Sequence, residues 1–445
     1  MPATEYFSHK FKEFGTELAH AHNLYYLIPS ALLGVYKSQY LTNPHELVEG
    51  WGVTMKVSDK PLWKVNASEW NNLVDISEYL DSMQTFFGIV GNVPGLKEFL
   101  RDNSTRLELG EMQPGKRYSQ LLTRGDIVVD RNSGQMKLVD ANVVPLGLAD
   151  MLALKRQGYE GVCEGELVAS QFKNWLDFNY PEWKTGAIGI VSVKGAGPNL
   201  AHQFVSRVLS EYDIKSCVVD PVALEYGAGG VKVKEAGKIS VLWNYVRGLF
   251  GIVPRVKDAW IGGEIGLINP PGLRLCETQA WYALLDLPKL QGVFAGAGVD
   301  IERLKAVVPE TKLVKMERGD LWLCDDWDKN GPVFKKVDKS DLLEFGPQEP
   351  HGVFIKSFDT SGSKGVEYTR MKQLEETIYD VGKGKAVVAQ REIPVTAGCK
   401  LELYAMLNPV SQKSQVVALG AMQKTPADHK IHGGTDTIQS LVGKE

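Results

Sequence analysis

The sequence has few cysteines, and none of them are paired by spacing. Its 445 residues include five cysteines, which stand far apart and form no Cys-x-x-Cys motif. An odd, dispersed set predicts neither a disulfide framework nor a cysteine zinc site, and it fits a reducing compartment. Cys163 and Cys276 lie in apolar stretches without a neighbouring base, so we expect inert thiols there.

Long apolar runs and clusters of one charge are also missing. No stretch approaches the roughly 20 apolar residues that a membrane helix needs, and the N-terminal MPATEYFSHKFKEFG is polar and charged. The net charge is −4, and lysine and arginine are spread along the chain, which gives no footprint for nucleic acid. We therefore expect a cytoplasmic protein that binds neither nucleic acid nor a membrane.

The length and the local patterns predict several subdomains that share one cleft. Residues 1–115 are expected to be mainly helical, and 116–184 to contain short strands. Residues 185–298 contain a βαβ pattern, which predicts a small parallel sheet with covering helices. Residues 299–445 alternate strands and helices. The fold class is thus a combination of α/β and α+β. The aromatic residues of LWNYV (242–246) are expected to be core rather than a cofactor box.

Two polar residues interrupt an apolar strand in RGDIVVDRNSGQMKLVDANVVP. The Asn-Ser-Gly turn predicts a hairpin, and Asp140 and Asn142 lie on its second strand with side chains on the same face. Burying a carboxylate is costly unless it is paired or bound to a metal. The alternative is the polar face of an edge strand that ends at Pro145.

A second stretch, GVFIKSFDTSGSKGVEY, combines lysines with small residues. We expect an apolar strand that ends at Lys356 and a Ser/Gly loop over 357–365 that carries Lys364. Small residues let backbone N–H groups approach phosphate oxygens, and the lysines add positive charge. The alternative is an ordinary hairpin with a solvated lysine. A helical MKQLEETIYDV and a strand in KAVVAQREIPV (385–395) follow, and the strand ends in a polar segment.

Strand, glycine loop, helix, strand and polar hinge is the order that resembles an ATP-grasp domain. Such domains usually carry an acidic residue and an asparagine for the metal after the hinge, and the region after 395 lacks this pair. Asp140 and Asn142 supply it far upstream. The arrangement resembles circularly permuted ATP-grasp ligases, namely the eukaryotic-type glutathione synthetases and the glutathionylspermidine synthetases. The likeness covers roughly residues 115–442.

The resemblance implies a circularly permuted ATP-grasp domain, with 116–184 supplying the metal-binding strands, 185–298 a substrate domain and 299–445 the nucleotide-binding region. It implies ATP and Mg²⁺ as cofactors. The implied metal ligands are Asp140, Asn142 and Asp359, and the implied catalytic residues are Arg124 and Lys424. The implied nucleotide contacts are Lys356, Ser361, Gly362, Ser363, Lys364, Gly365, Gln390, Arg391, Glu392, Ile393, Gly433 and Gly434.

The chain departs from that family at two positions. Asp140 stands where a glutamate is usual, and Gln279 stands where many members have a lysine. Glutamine cannot neutralise phosphate, so Lys312 or Lys315 is a candidate replacement cation.

Several side chains keep two interpretations. Arg124 pairs with a substrate carboxylate or with Asp126 or Asp130. Glu402 meets metal or ribose, or it follows the alternation of a half-buried strand. His432 contacts substrate, or it is an incidental loop residue.

The implied activity is an ADP-forming carboxylate-amine ligase that joins small acids or amino acids through an acyl phosphate. A phosphotransferase of the same fold and a non-catalytic nucleotide-binding protein are the alternatives. The expected partners are a small carboxylate and an amine, and the families resembled often form homodimers.

Overall fold

The computed structural model describes residues 56–58, 60–103, 120–145, 147–192, 198–227, 229–234, 236–246, 249–342, 352–361, 364–411, 413–424 and 437–445. These residues form a mixed α/β protein with three six-stranded sheets and one two-stranded sheet. Within those ranges, no helix combines the length and the apolar character needed to cross a membrane.

The helices of the described residues are α1 (Ala67–Val90), α2 (Leu96–Asp102), α3 (Leu148–Arg156), α4 (Gly165–Asn179), α5 (Pro198–Glu211), α6 (Leu249–Ile252), α7 (Pro254–Ile261), α8 (Ala280–Leu284), α9 (Pro288–Gly296), α10 (Ile301–Val307) and α11 (Leu374–Gly382). Short 3₁₀ helices cover Pro181–Thr185, Pro221–Ala223, Pro271–Glu277, Lys339–Asp341 and Met371–Gln373.

The described part of the expected helical region contains α1 and α2 as well as two short strands. Helix α1 begins with a reciprocal cap, in which Asn66 Oδ1 accepts the Glu69 N–H at 3.0 Å and Glu69 Oε2 accepts the Asn66 N–H at 3.0 Å. Its apolar face, including the fully buried Leu73 and Leu80, packs in the main core. Residues 1–55 and 104–115 of that region lie outside the described ranges.

Sheet A joins strands that are far apart in the sequence. Its order is β1 (Lys56–Val57), β19 (Thr437–Leu441), β18 (Lys413–Lys424), β17 (Val395–Asn408), β3 (Leu122–Asp130) and β4 (Met136–Asn142). The predicted hairpin is confirmed as the antiparallel pair of β3 and β4, in which Asp126 faces Asp140 and Arg124 faces Asn142. A separate short pair contains β2 (Lys64–Val65) and β20 (Gly443–Lys444).

Sheet B is the predicted parallel sheet. It has the order β6 (Ser216–Val219), β5 (Ala187–Val191), β9 (Gly237–Asn244), β8 (Gly230–Val233) and β7 (Glu225–Gly227), and β10 (Gly266–Ile268) also pairs with β9. Strand β5 is parallel to both β6 and β9, and β9 is parallel to β10. The βαβ expectation is therefore confirmed, with an antiparallel extension by β7 and β8.

Sheet C has the order β13 (Gly331–Lys336), β12 (Asp320–Asp328), β11 (Thr311–Glu317), β16 (Val387–Arg391), β14 (Gly352–Ser361) and β15 (Lys364–Arg370). All its pairs are antiparallel. Helix α11 packs on its strands and contributes Leu374 and Ile378 to a small core. The expected helix in MKQLEETIYDV and the strand in KAVVAQREIPV are both confirmed.

The expected boundary of the lysine-bearing strand is wrong. Strand β14 does not end at Lys356 but continues to Ser361, and β15 already begins at Lys364. Burial of Phe358, which is 1% exposed and lies in the main core, explains the continuation. The register between β14 and β15 shifts between Lys356 and Ser361. The backbone of 352–361 and 364–370 therefore forms a hairpin of β14 and β15, as in the alternative interpretation, and not a strand followed by a long loop.

Candidate functional site

The candidate site begins where β14 of sheet C meets β4 of sheet A. Lys356 Nζ donates to the Val139 carbonyl at 2.8 Å, although the two residues are 217 positions apart in the chain. It also donates to Gln279 Oε1 at 3.4 Å. Lys356 is 7% exposed and Gln279 is 1% exposed. Two segments that were singled out separately in the sequence are thus neighbours in space.

Gln279 links the lysine to the carboxylate. Its side-chain Nε2 donates to Asp140 Oδ1 while its Oε1 accepts from Lys356. Asp140 Oδ1 also accepts the N–H of Ala141 at 2.8 Å. Gln279 is therefore a bridge between Lys356 and Asp140, because a glutamine side chain can donate and accept at the same time.

The end of β4 is held by a second side chain from the same segment as Gln279. Glu277 Oε1 accepts the N–H of Val143 at 3.1 Å and the N–H of Val144 at 3.2 Å. Glu277 is buried and is the last residue of the 3₁₀ turn Pro271–Glu277. Because these two N–H groups lie just after Asn142, Glu277 fixes where the strand that carries Asp140 and Asn142 ends.

A buried ionic network lies beside Asp140 on β3 and β17. Lys400 Nζ donates to Asp126 Oδ2 at 2.8 Å and lies 3.7 Å from Glu402 Oε1. Arg124 Nε lies 2.9 Å from Asp126 Oδ1, and Arg124 Nη1 lies 3.5 Å from Glu402 Oε1. The Tyr404 hydroxyl donates to Glu402 Oε2 at 3.2 Å. This network, Arg124–Asp126–Lys400–Glu402–Tyr404, pairs two cations with two carboxylates.

Two of the residues with two interpretations, Arg124 and Glu402, contact each other in this network. Arg124 pairs with Asp126, one of the expected protein partners, and also with Glu402. Glu402 is 2% exposed and is surrounded by the side chains of the ionic network. Strand β17 pairs with β3 so that Glu402 faces Asp126 and Tyr404 faces Arg124, which explains why these side chains meet.

Burial and neighbouring charges set the proton affinities of the site. Burial lowers the pKa of Lys356 to about 8, although Asp140 and Asp126 act in the opposite direction. Burial, reinforced by Asp126, raises the pKa of Asp140. Burial also raises the pKa of Asp126, but Arg124 and Lys400 outweigh it and the net pKa is lowered. The site thus holds Asp126 as an anion and disfavours the anion of Asp140.

Asn142 retains an unused polar group. Its side-chain nitrogen is buried and has no hydrogen-bond partner among the residues that the structure describes. Over the same residues, no three side chains of histidine, cysteine, aspartate or glutamate come together as a metal site. The third expected ligand, Asp359, lies in β14, and its side chain is outside the description.

The polar hinge connects sheet C to sheet A, because β16 ends at Arg391 and β17 begins at Val395. Gln390 is 1% exposed, and its Nε2 donates to Thr311 Oγ1 at 3.5 Å. The Arg391 N–H donates to the Glu310 carbonyl. Ile393 is half-buried in the connection.

Glu392 ties the hinge to the base of the β14–β15 hairpin. Its Oε2 accepts the Gly352 N–H at 2.8 Å and the Tyr368 hydroxyl at 3.1 Å. Gly352 opens β14 and Tyr368 lies on β15, so one carboxylate joins both strands to the segment that follows β16.

Several expected nucleotide contacts lie outside the described residues, namely Gly362, Ser363, Gly433 and Gly434 together with His432. Ser361, Lys364, Gly365 and Lys424 have a described backbone at strand ends, without described side chains.

The candidate replacement cations are paired elsewhere. Lys312 Nζ lies 3.1 Å from Asp286 Oδ2, and Lys315 Nζ lies 2.6 Å from Glu317 Oε2. Each of these lysines therefore already has a carboxylate partner.

Comparisons with known proteins complete the description. No family model and no curated protein matches the sequence. Among solved structures, a RimK domain ATP-grasp protein from Sphaerobacter thermophilus matches at 12% identity. The match covers 52% of this chain and 90% of that chain, with a TM-score of 0.27. At this score the likeness assigns no fold, and the chain is described as a mixed α/β protein with a buried charged site between two sheets.

Proposed function

We propose that the chain is a circularly permuted ATP-grasp protein that acts as an ATP-dependent, ADP-forming carboxylate-amine ligase. The observation that carries this proposal is the meeting of Lys356 with the Asp140 strand through Gln279. A lysine of sheet C and an oxygen-bearing strand of sheet A meet at one place, as binding of a phosphate chain together with its cation requires. The order of motifs in the sequence supports the same assignment.

The residues fit a magnesium nucleotide. Asp140 and Asn142 would supply hard oxygen donors, and Mg²⁺ is often held by only one or two carboxylates together with substrate phosphates. The raised pKa of Asp140 is a feature that a bound cation would offset, because a cation favours the carboxylate anion. When bound, Mg²⁺ would neutralise charge on the transferring phosphoryl group. Lys356 would add a second positive charge at the phosphates.

The proposed reaction has two steps. A substrate carboxylate oxygen attacks the γ-phosphorus of ATP, which forms an acyl phosphate and releases ADP. The amine nitrogen then attacks the acyl carbon, phosphate leaves, and the nitrogen loses a proton to give an amide. The protein forms no covalent bond in this scheme, so its task is positioning, charge stabilisation and exclusion of water.

A substrate screen tests this activity. Amino acids would be supplied in pairs with ATP and Mg²⁺, ADP release would be measured, and products would be identified by mass. We expect ADP release that depends on both an acid and an amine, with one amide formed per ADP. ADP with a phosphorylated acid as the final product would instead identify a phosphotransferase. Absence of ADP release with every pair would contradict the ligase.

A non-catalytic nucleotide-binding role is the second candidate, and Gln279 is the observation that favours it. Gln279 is neutral, and it stands where the resembled family often has a lysine. It accepts a hydrogen bond from Lys356, which also donates to the Val139 carbonyl, so the Lys356 side chain is held against β4. Saturable binding of Mg-ATP with no turnover in the substrate screen would support this role.

Replacing Lys356 is expected to weaken nucleotide binding. Lys356→Met removes one charged donor to phosphate, and a hydrogen bond to a charged group contributes about 1.5–3 kcal/mol. We therefore expect the Kd for Mg-ATP to rise by about 10- to 100-fold. Calorimetric titration measures the change. The control is Lys385→Met, because Lys385 is an exposed lysine just before β16. An unchanged Kd for Lys356→Met would remove this lysine from the nucleotide site.

A further inference from the structure

The carboxyl edge of sheet B is a second region of chemical interest. The chain leaves β5 through α5 to reach β6 on one side, whereas β9 lies on the other side of β5. In open parallel sheets, the crevice at the carboxyl ends of strands, where the strand order reverses, is the common position for ligands. Topology alone gives only a position, so the side chains at this edge decide its chemistry.

Several buried polar atoms without partners lie at this edge. Ser192 directly follows β5, His202 lies in the first half of α5, and Trp243 lies at the end of β9. Their exposed fractions are 2%, 3% and 3%. Ser192 Oγ, both ring nitrogens of His202 and Trp243 Nε1 have no hydrogen-bond partner within the described part of the chain. Native proteins rarely leave such atoms unsatisfied, so each requires an explanation.

These side chains share one face of the sheet. The rings of His202 and Tyr245 have centroids 4.3 Å apart, and those of Trp243 and Tyr245 are 5.2 Å apart. Trp243 is the register partner of Ile190, and the alternation of a strand brings Ser192 to the same face as Ile190. We call the group Ser192, His202, Trp243 and Tyr245 the edge site.

Three of the four edge residues carry aromatic rings, and none of the four is an acid, a lysine or an arginine. Burial lowers the pKa of His202 to about 3, so its imidazole is neutral near pH 7 and presents one N–H donor and one acceptor nitrogen. Trp243 Nε1 can only donate, and the Ser192 hydroxyl can do both. A carboxylate would bring a bare charge into this apolar surrounding and would leave the acceptor nitrogen unused. An amide carries both an acceptor oxygen and N–H donors.

We propose that the edge site binds an uncharged amide group of a small ligand. The amide oxygen accepts from Trp243 and Ser192, and the amide N–H donates to the acceptor nitrogen of His202. The aromatic ring of Tyr245 packs against the planar group. The group recognised is therefore a carboxamide or peptide group of a small molecule, such as the side-chain amide of a glutamine-like amino acid.

The assignment of this ligand as a substrate rests on the proposed ligase function, but its binding does not. None of the four edge residues belongs to the Lys356 site or to the ionic network. An amide-bearing amino acid held at sheet B would be one of the two molecules that the ligase joins. Binding without nucleotide and ADP release are separate measurements, so either proposal can fail alone.

The experiment compares isosteric amides and acids. L-Glutamine and L-glutamate, and likewise L-asparagine and L-aspartate, are titrated calorimetrically into the full chain without nucleotide. We expect saturable binding of at least one amide, with its acid at least tenfold weaker. His202→Phe keeps the aromatic contact with Tyr245 but removes both nitrogens, and it should weaken amide binding at least tenfold. Trp243→Phe removes the indole N–H while keeping an aromatic ring, and it should weaken amide binding in the same direction.

The matched control removes a similar atom from the opposite face. Tyr226 Oη is also buried without a described partner, but Tyr226 packs with a different core cluster, so Tyr226→Phe should bind the amide like the natural chain. Circular dichroism verifies the fold of each variant. Equal binding of amide and acid, or binding unaffected by His202→Phe and Trp243→Phe, overturns the proposal. No binding of either amide also overturns it and leaves only internal water at these atoms.

Discussion

Replacing Lys400 by methionine is expected to lower the free energy of unfolding by about 3–5 kcal/mol, because the change leaves two buried carboxylates with Arg124 as their one remaining cation in the network. Lys400 contacts Asp126 directly and lies close to Glu402. Burial lowers the pKa of Lys400, but the two carboxylates outweigh it and the net pKa is raised, so the ammonium is the favoured form in the folded state. Methionine keeps the volume of the lysine stem and removes only the charge. Urea unfolding measures the difference.

The control for Lys400 is again Lys385→Met, which removes a lysine charge from an exposed position. Its effect should stay within about 0.5 kcal/mol, as is usual for surface substitutions. A double variant, Lys400→Met with Asp126→Asn, should recover part of the loss, because one unpaired carboxylate is then neutral. A loss below 1 kcal/mol for Lys400→Met alone would mean that Arg124 suffices to balance both carboxylates.

The local elements of the site were predictable from the sequence. The Asn-Ser-Gly turn between alternating segments predicted the β3–β4 hairpin, and the structure confirms that Asp140 and Asn142 lie on its second strand. The period of a strand is short, so a few residues are enough to reveal it. The parallel sheet was predictable for the same reason, since β5, α5 and β6 follow one another directly along the chain.

The partners of those elements were not predictable. Strand β3 pairs with β17, and Asp126 and its partner Lys400 are 274 positions apart. Nothing local in RGDIVVD specifies a distant lysine. A signal was nevertheless present in KLELY, where Lys400, Glu402 and Tyr404 alternate with leucines and must lie on one face. Two charged residues on a strand that is apolar on its other face predict a buried partner of each sign.

The hairpin after Lys356 shows how small residues can mislead. Ser357, Thr360 and Ser361 were interpreted as loop because serine, threonine and glycine are common in turns. Antiparallel pairing of β14 with both β15 and β16 and burial of Phe358 extend the strand past Lys356. Similarly, the sequence suggests that Gln279 only removes a positive charge. In the structure its side chain donates to Asp140 and accepts from Lys356.

Asp140→Asn should have different effects on the stability of the fold and on the turnover of the enzyme. Burial and the neighbouring Asp126 raise the pKa of Asp140, so the folded protein disfavours this anion. A group whose folded pKa lies above its unfolded value destabilises the folded state at pH 7, where the unfolded group is ionised. Asparagine removes the charge and keeps an oxygen for Gln279 and Ala141. We therefore expect unchanged or greater stability in urea.

The same substitution should reduce ADP release with the best acid and amine by at least about 100-fold, the size of effect that follows loss of one stabilising group in an active site. The matched control is Asp130→Asn, because Asp130 ends β3 in the same hairpin and accepts hydrogen bonds only within its turn among the described residues. That variant should retain turnover. If Asp140→Asn keeps its stability but loses turnover, the carboxylate is needed for the reaction and not for folding. That result would support Asp140 as a ligand of Mg²⁺ bound with ATP. Equal turnover of the two variants would exclude Asp140 as a metal ligand.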